Sequence, residues 1–265
     1  MLRKTLSIIL SVVFCFGMLT LTASADDSVT ASLRVEGIEN CLFYDDVTVN
    51  NGSTVYDVLL AADKADDSLT VISSSSQYGA YVTSINDITA GSYTALKWDG
   101  WLFMVNGESP TVGMDALTVN DDDKIVIYYG DPYNTGMQYP EVSFDAATGT
   151  FTLTSLDTVY DEQFNATTEE CPVSGYTLYW EADGKVTEFT ADENGTVVIG
   201  KEYLTYGKHK VSYEKTAKNG LPLILRAAPD FTVEIPDNRN IFEKLFDYIK
   251  AFFDMIISFF NSISG

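Results

Sequence analysis

Between Val29 and Ile235 the apolar residues fall almost everywhere into short runs with the period of a strand, and one stretch alone has the period of a helix. In VTASLRVEG, Val29, Ala31, Leu33 and Val35 alternate with polar residues, as on a half-buried strand. FYDDVTVNNGS is a second strand ending in an Asn-Gly turn. TVYDVLLAADKA then places Val55, Val58, Leu59 and Ala62 at i, i+3, i+4 and i+7, with Ser53 expected as the N-cap. LTVI, YGAYVTSI, WLFMVNG and KIVIYY follow as strands. One helix has one apolar stripe to bury, so a mixed sheet with that helix laid across it is the economical solution.

The pattern changes after DPYNTGMQY, a turn-rich connector over residues 131–139. From Glu141 onward come strands alone: EVSF, TFTLTS, GYTLYWEA, VTEFT, TVVI, KHKVSYE, LILRA and FTVEI, with glycine and acidic turns between them. That spacing predicts a β-sandwich over 140–237. The expected fold class is mainly β: an α+β, β-grasp-like domain with one helix over 26–130, an immunoglobulin-like sandwich, then an amphipathic C-terminal helix over 238–265.

That tail, NIFEKLFDYIKAFFDMIISFFNSISG, has a narrow polar stripe of Glu243, Asp247, Lys250, Asp254, Ser258 and Asn261. Phe242, Leu245, Phe246, Ile249, Phe252, Phe253, Ile256 and Phe260 form the broad apolar face, which must meet lipid, another copy or a partner. Charges at its middle make it a poor membrane span, so interfacial binding or self-association is expected.

At the other end, Arg3 and Lys4 precede an apolar run from Leu6 to Leu21 and an Ala23-Ser24-Ala25 site, the layout of a signal peptide cleaved after Ala25. The expected location is extracellular or at the cell surface. Cleavage leaves 14 basic and 38 acidic residues, moving the formal charge from -22 to -24. A field of that sign repels nucleic acid. Cys41 and Cys171 are the two cysteines left, too few for a disulfide framework; they are read as small buried hydrophobes, with a bridge between them as the alternative.

Catalytic raw material is scarce. His209 is the single histidine, expected on a sheet surface, and HExxH, GxSxG, P-loop and CxxC patterns do not occur. No catalytic residue is assigned, and the enzymatic alternative is a hydrolase using two converging carboxylates. The acidic groups Asp45-Asp46, Asp121 to Asp123 and Glu169-Glu170 lack the spacing of a calcium loop and suit solvated turns, so no metal is assigned.

What remains is the density of aromatic residues and glycines from Tyr78 to Tyr129, which suits binding: aromatic rings offer rigid contact area with few rotors to freeze. In WLFMVNG, Trp101, Phe103 and Val105 point to one face and Leu102 and Met104 to the other, so one set is core. Trp98, between Lys97 and Asp99, is the better candidate for an exposed contact.

The run Tyr81-Val82-Thr83-Ser84-Ile85-Asn86, then Trp98, Trp101 to Gly107, Gly113 before Asp115, and Asp123-Lys124-Ile125 resembles the C-terminal β-domain of transcobalamin and intrinsic factor. It resembles still more the small secreted bacterial domains of unknown function grouped with it. The resemblance covers about residues 29–130, and the segment after it is similar to bacterial immunoglobulin-like domains. In the vertebrate carriers this β-domain closes one face of cobalamin, while a helical barrel absent here holds the other. The resemblance therefore implies a ligand face at Tyr78, Tyr81, Thr83, Trp98, Trp101 and Met104, with cobalamin or a related corrinoid as the ligand. The expected function is a non-catalytic binding module for a corrinoid-like or other flat ligand. The alternative is a structural or adhesive surface protein that docks through its tail helix.

Overall fold

The computed structural model describes residues 28–77, 79–133, 137–160, 163, 165–237, 239, 244, 249, 250, 252 and 255. The expected signal peptide and most of the expected C-terminal helix lie outside the described residues. Among the described residues no helix is long and apolar enough to cross a membrane. The chain divides into two compact units, Met1–Asn134 and Thr135–Gly265.

In the first unit, β1 (Ser28–Glu36) and β2 (Cys41–Asn50) form an antiparallel pair, followed by α1 (Val55–Ala65). Next come β3 (Val71–Ser76), β4 (Gly79–Ile85) and β5 (Ile88–Thr89), which form a small antiparallel sheet of their own. The unit closes with β6 (Gly100–Val105) and β7 (Lys124–Gly130). The larger sheet has the order β2-β1-β7-β6, with β1 and β7 parallel at its centre and the other pairs antiparallel. Among the described residues of this unit, a first and a last strand running parallel under a single helix make the β-grasp-like arrangement. Ala31, Leu33 and Val35 of β1 are buried, as are Val55, Val58, Leu59 and Ala62 of α1. Each of the buried valines and leucines contributes about 1.5–3 kcal/mol.

The helix starts one residue later than the spacing suggested: Thr54, not Ser53, is the N-cap. Its hydroxyl oxygen accepts from the Asp57 backbone N–H at 3.3 Å, while the Asp57 carboxylate accepts the Thr54 N–H at 2.8 Å. This reciprocal box satisfies two of the donors that a helix start leaves open, which Ser53 cannot do because its own N–H is committed to Asn50 O. Thr54→Ala is expected to cost about 1 kcal/mol, read as a lowered urea midpoint at unchanged m-value.

The second unit contains β8 (Glu141–Asp145), β9 (Thr150–Tyr160), β10 (Ala166–Pro172), β11 (Thr177–Ala182), β12 (Lys185–Thr190), β13 (Thr196–Val198), β14 (Gly207–Glu214) and β15 (Thr232–Ile235). β9 pairs with β8, β10 and β13 in one sheet, and β12-β11-β14-β15 make the other. Phe151 and Leu153 of the first and Leu178, Trp180, Val211 and Tyr213 of the second are buried in a single core, the inner layer of a sandwich. The Phe151 and Tyr213 rings meet there at 6.2 Å. Asp183 and Gly184, both at positive φ, make the two-residue turn of the β11–β12 hairpin.

Three expectations for this unit are corrected. LILRA forms no strand but a single bridge from Ile224 to Gln138. β10, ATTEECP, is a strand that apolar alternation could not reveal, since its residues are almost all exposed. His209 is buried rather than displayed: its ring stacks on Trp180 at 4.8 Å, and its nitrogens lie 3.1 and 2.6 Å from the carbonyl oxygens of Glu181 and Thr205. Cys41 and Cys171 are both free, and burial pushes the Cys41 thiol above its ordinary value.

Candidate ligand-binding site

The loop between β5 and β6, AGSYTALKWD, is exposed along most of its length and is held by one carboxylate. Asp99 is 1% exposed. Its oxygens accept the backbone N–H groups of Tyr93 and Thr94, each at 2.9 Å, and the hydroxyls of Thr94 and Tyr129. Its own carbonyl accepts the Gly91 N–H at 2.7 Å. The Tyr129 hydroxyl also lies 2.8 Å from the Thr89 carbonyl, which ties the clamp to β5. Burial alone would raise the Asp99 carboxyl, but the donors from Thr94, Tyr129 and Tyr93 outweigh it and hold the group well below the usual carboxylate range. Burial, then the Asp99 carboxylate, push the Tyr129 phenol up to about 12.

The clamp presents aromatic surface. Trp98, next to the anchored Asp99, follows Lys97 in a left-handed conformation and is 52% exposed. Tyr133, beyond β7, meets it edge-on at 4.9 Å and is itself 74% exposed. Tyr93 and Leu96 on the same loop are also exposed. Tyr81 on β4 is exposed, with its hydroxyl over Gly100, where an added Cβ would stand 3.6 Å from it.

The six residues singled out by resemblance do not converge. Tyr81 and Trp98 are on the surface as expected. Thr83 is half-buried, with its hydroxyl committed to the Ile72 carbonyl at 2.9 Å. Trp101 and Met104 are buried, which removes both from an exposed face. The Trp101 indole donates to Ile88 O at 3.0 Å, and its ring meets Tyr129 edge-on at 5.3 Å, so it is a core residue. Tyr78 lies outside the described residues. Sequence reasoning missed Tyr133, which it had assigned to a connector, and Asp99, although an acid between an exposed tryptophan and a strand-opening glycine was a visible signal.

The segment carrying this loop runs from the turn before α1 to the residue after β7. Residues 52–131 match the family described as Domain of unknown function (DUF4430). That DUF4430 match falls on the residues that carry the transcobalamin-like pattern and includes the whole Asp99 clamp. Among solved structures, haptocorrin in complex with Cbi is 21% identical, covering 42% of this chain and 28% of that chain at a TM-score of 0.36. A proposed metal binding protein from Ruminococcus gnavus ATCC 29149 is 18% identical, covering 40% of this chain and 99% of that chain at a TM-score of 0.31. No curated protein matches the chain. Among the described residues no cluster of three or more histidine, cysteine, aspartate or glutamate side chains is placed to hold a metal ion.

Proposed function

We propose that the DUF4430 segment is a non-catalytic binding module of an exported protein, and that its ligand lies against Trp98, Tyr133 and Tyr81. The observation that carries this is the half-exposed Trp98 ring on a loop whose base is locked by a buried, multiply bonded carboxylate. A soluble domain has no folding reason to immobilise a large ring in water, whereas a binding surface gains from having its rotors fixed beforehand. The residues present offer stacking area and hydroxyls rather than a nucleophile and base in company, which favours retention of a ligand over its chemical conversion. A flat, largely apolar ligand suits that surface, and a corrinoid is the candidate implied by the resemblance of residues 29–130. The strongly negative chain disfavours an anionic one.

Titration of the full chain with cobalamin, with tryptophan emission corrected for the ligand's absorbance, is expected to give saturable quenching. Trp98→Ala should leave stability within about 0.5 kcal/mol, because the ring is half in solvent. The same variant should weaken binding by about 2 kcal/mol or more, roughly a thirtyfold rise in Kd. A linear, non-saturating response in the unaltered chain would reject the corrinoid.

A further inference from the structure

The sequence contains four Asn-Gly pairs, at 51–52, 106–107, 194–195 and 219–220, and the fold treats one of them differently. An asparagine followed by glycine is the pair most open to internal attack, because no Cβ hinders the approach of the following amide nitrogen to the side-chain carbonyl carbon. Attack requires a side chain free to swing onto that nitrogen and an N–H that is not committed elsewhere.

Three pairs fail this requirement. Asn106 donates from Nδ2 to Asp123 at 2.8 Å, and its Oδ1 accepts the Lys124 N–H at 2.9 Å. Gly195 is buried and donates its N–H to Asp192 O at 3.1 Å. Gly220 donates its N–H to Ala217 O at 2.9 Å, and Asn219 Oδ1 accepts the Leu221 N–H at 3.2 Å.

Asn51 and Gly52 are both exposed in the turn between β2 and α1. Among the described residues, no hydrogen bond is made by the Asn51 carboxamide or the Gly52 N–H. The space a Gly52 Cβ would fill has nothing within 4 Å. The turn is closed by one bond, from Ser53 N–H to Asn50 O at 3.0 Å, with Gly52 at φ +89°.

We propose that Asn51 is a site of spontaneous modification, converting to aspartate and isoaspartate through a succinimide. The Gly52 amide nitrogen, having lost its proton to base, bonds to Asn51 Cγ; the Cγ–Nδ2 bond breaks and ammonia leaves. Water then opens the ring at either carbonyl, giving aspartate or, with the main chain rerouted through the side chain, isoaspartate. The net change is one water consumed and one ammonia released, and the turn gains a negative charge. Isoaspartate also lengthens the chain between β2 and the Thr54 cap by one carbon, next to Ser53, whose carbonyl accepts the Val119 N–H at 3.0 Å.

The test is peptide mapping by mass spectrometry, with enzymatic isoaspartate methylation, on the folded full chain ageing in mildly alkaline buffer. The mass gain of one unit and the methyl label are expected to concentrate at Asn51, at least an order of magnitude faster than at the other three pairs. In strong denaturant the four rates should converge, since only the fold separates them. Gly52→Ala should slow the reaction by an order of magnitude; because alanine is strained at that φ, Asn51→Gln, which keeps Gly52, serves as the second variant and should remove the label. Equal or faster conversion at Asn106, Asn194 or Asn219 in the folded chain, or none at Asn51, would overturn the proposal.

Discussion

Asp99→Ala is expected to cost the first unit about 3–4 kcal/mol, the penalty of leaving a set of buried donors with no acceptor. The Tyr93 and Thr94 N–H groups and the Thr94 and Tyr129 hydroxyls all end on this one carboxylate. Asp99→Asn should recover only part of the loss, since its NH₂ group would face a donor where the carboxylate offers an acceptor. Chemical unfolding followed by a probe in the first unit measures both variants. The pH dependence has a fixed sign. Because the folded carboxyl titrates below its unfolded value of about 4, its contribution is complete above that pH and declines as the pH falls below it. Tyr129, raised to about 12, adds the opposite edge: its contribution is complete below the ordinary phenol value of about 10 and is lost as the pH rises through about 12. A stability plateau across neutral pH with losses at both ends follows, and a midpoint that climbs steadily between pH 5 and 8 would speak against this clamp.

The second large effect is Trp180→Ala, expected to destabilise the sandwich by about 3–5 kcal/mol through the cavity it leaves. Trp180 is fully buried and packs against Phe144 at 5.5 Å and His209 at 4.8 Å, so its removal opens space on both sides. The change also leaves Tyr203 O without the indole donor now 3.0 Å away. Trp180→Phe should retain much of the packing and lose the hydrogen bond, costing less. Thermal unfolding read by near-ultraviolet circular dichroism distinguishes the two, and a Trp180→Ala transition within a degree of the unaltered chain would contradict the assignment of this ring to the core.

What could be foreseen from residues alone followed the period-two and period-3.6 signals. The helix, β1, the β6–β7 pair and most sandwich strands carry apolar residues on one face, and burial of that face is what fixes them. β10 escaped because Thr, Glu and Cys at its positions are held by pairing with β9 rather than by burial. LILRA has strand composition but joins Gln138 by one bridge only, and composition says nothing about whether a partner strand is available. The candidate site was half legible. Trp98, flanked by charge, was placed in solvent correctly, whereas Tyr133 comes to it from beyond β7, a pairing no local pattern encodes. Asp99 was passed over for a related reason: beside the visible acid, its partners are Tyr93 and Thr94 in a loop whose shape the carboxylate itself sets and Tyr129 on the distant β7.

The binding proposal rests on Trp98 being the one tryptophan of three at the ligand surface, which indole N–H resonances of the full chain can resolve directly. Trp101 and Trp180 donate their indole protons to Ile88 O and Tyr203 O within the protein, while Trp98 is half exposed. On addition of cobalamin the account predicts a saturable shift of the Trp98 indole signal with the other two nearly stationary. Movement of Trp101 or Trp180 with Trp98 unchanged, or three stationary signals at saturating ligand, would contradict it.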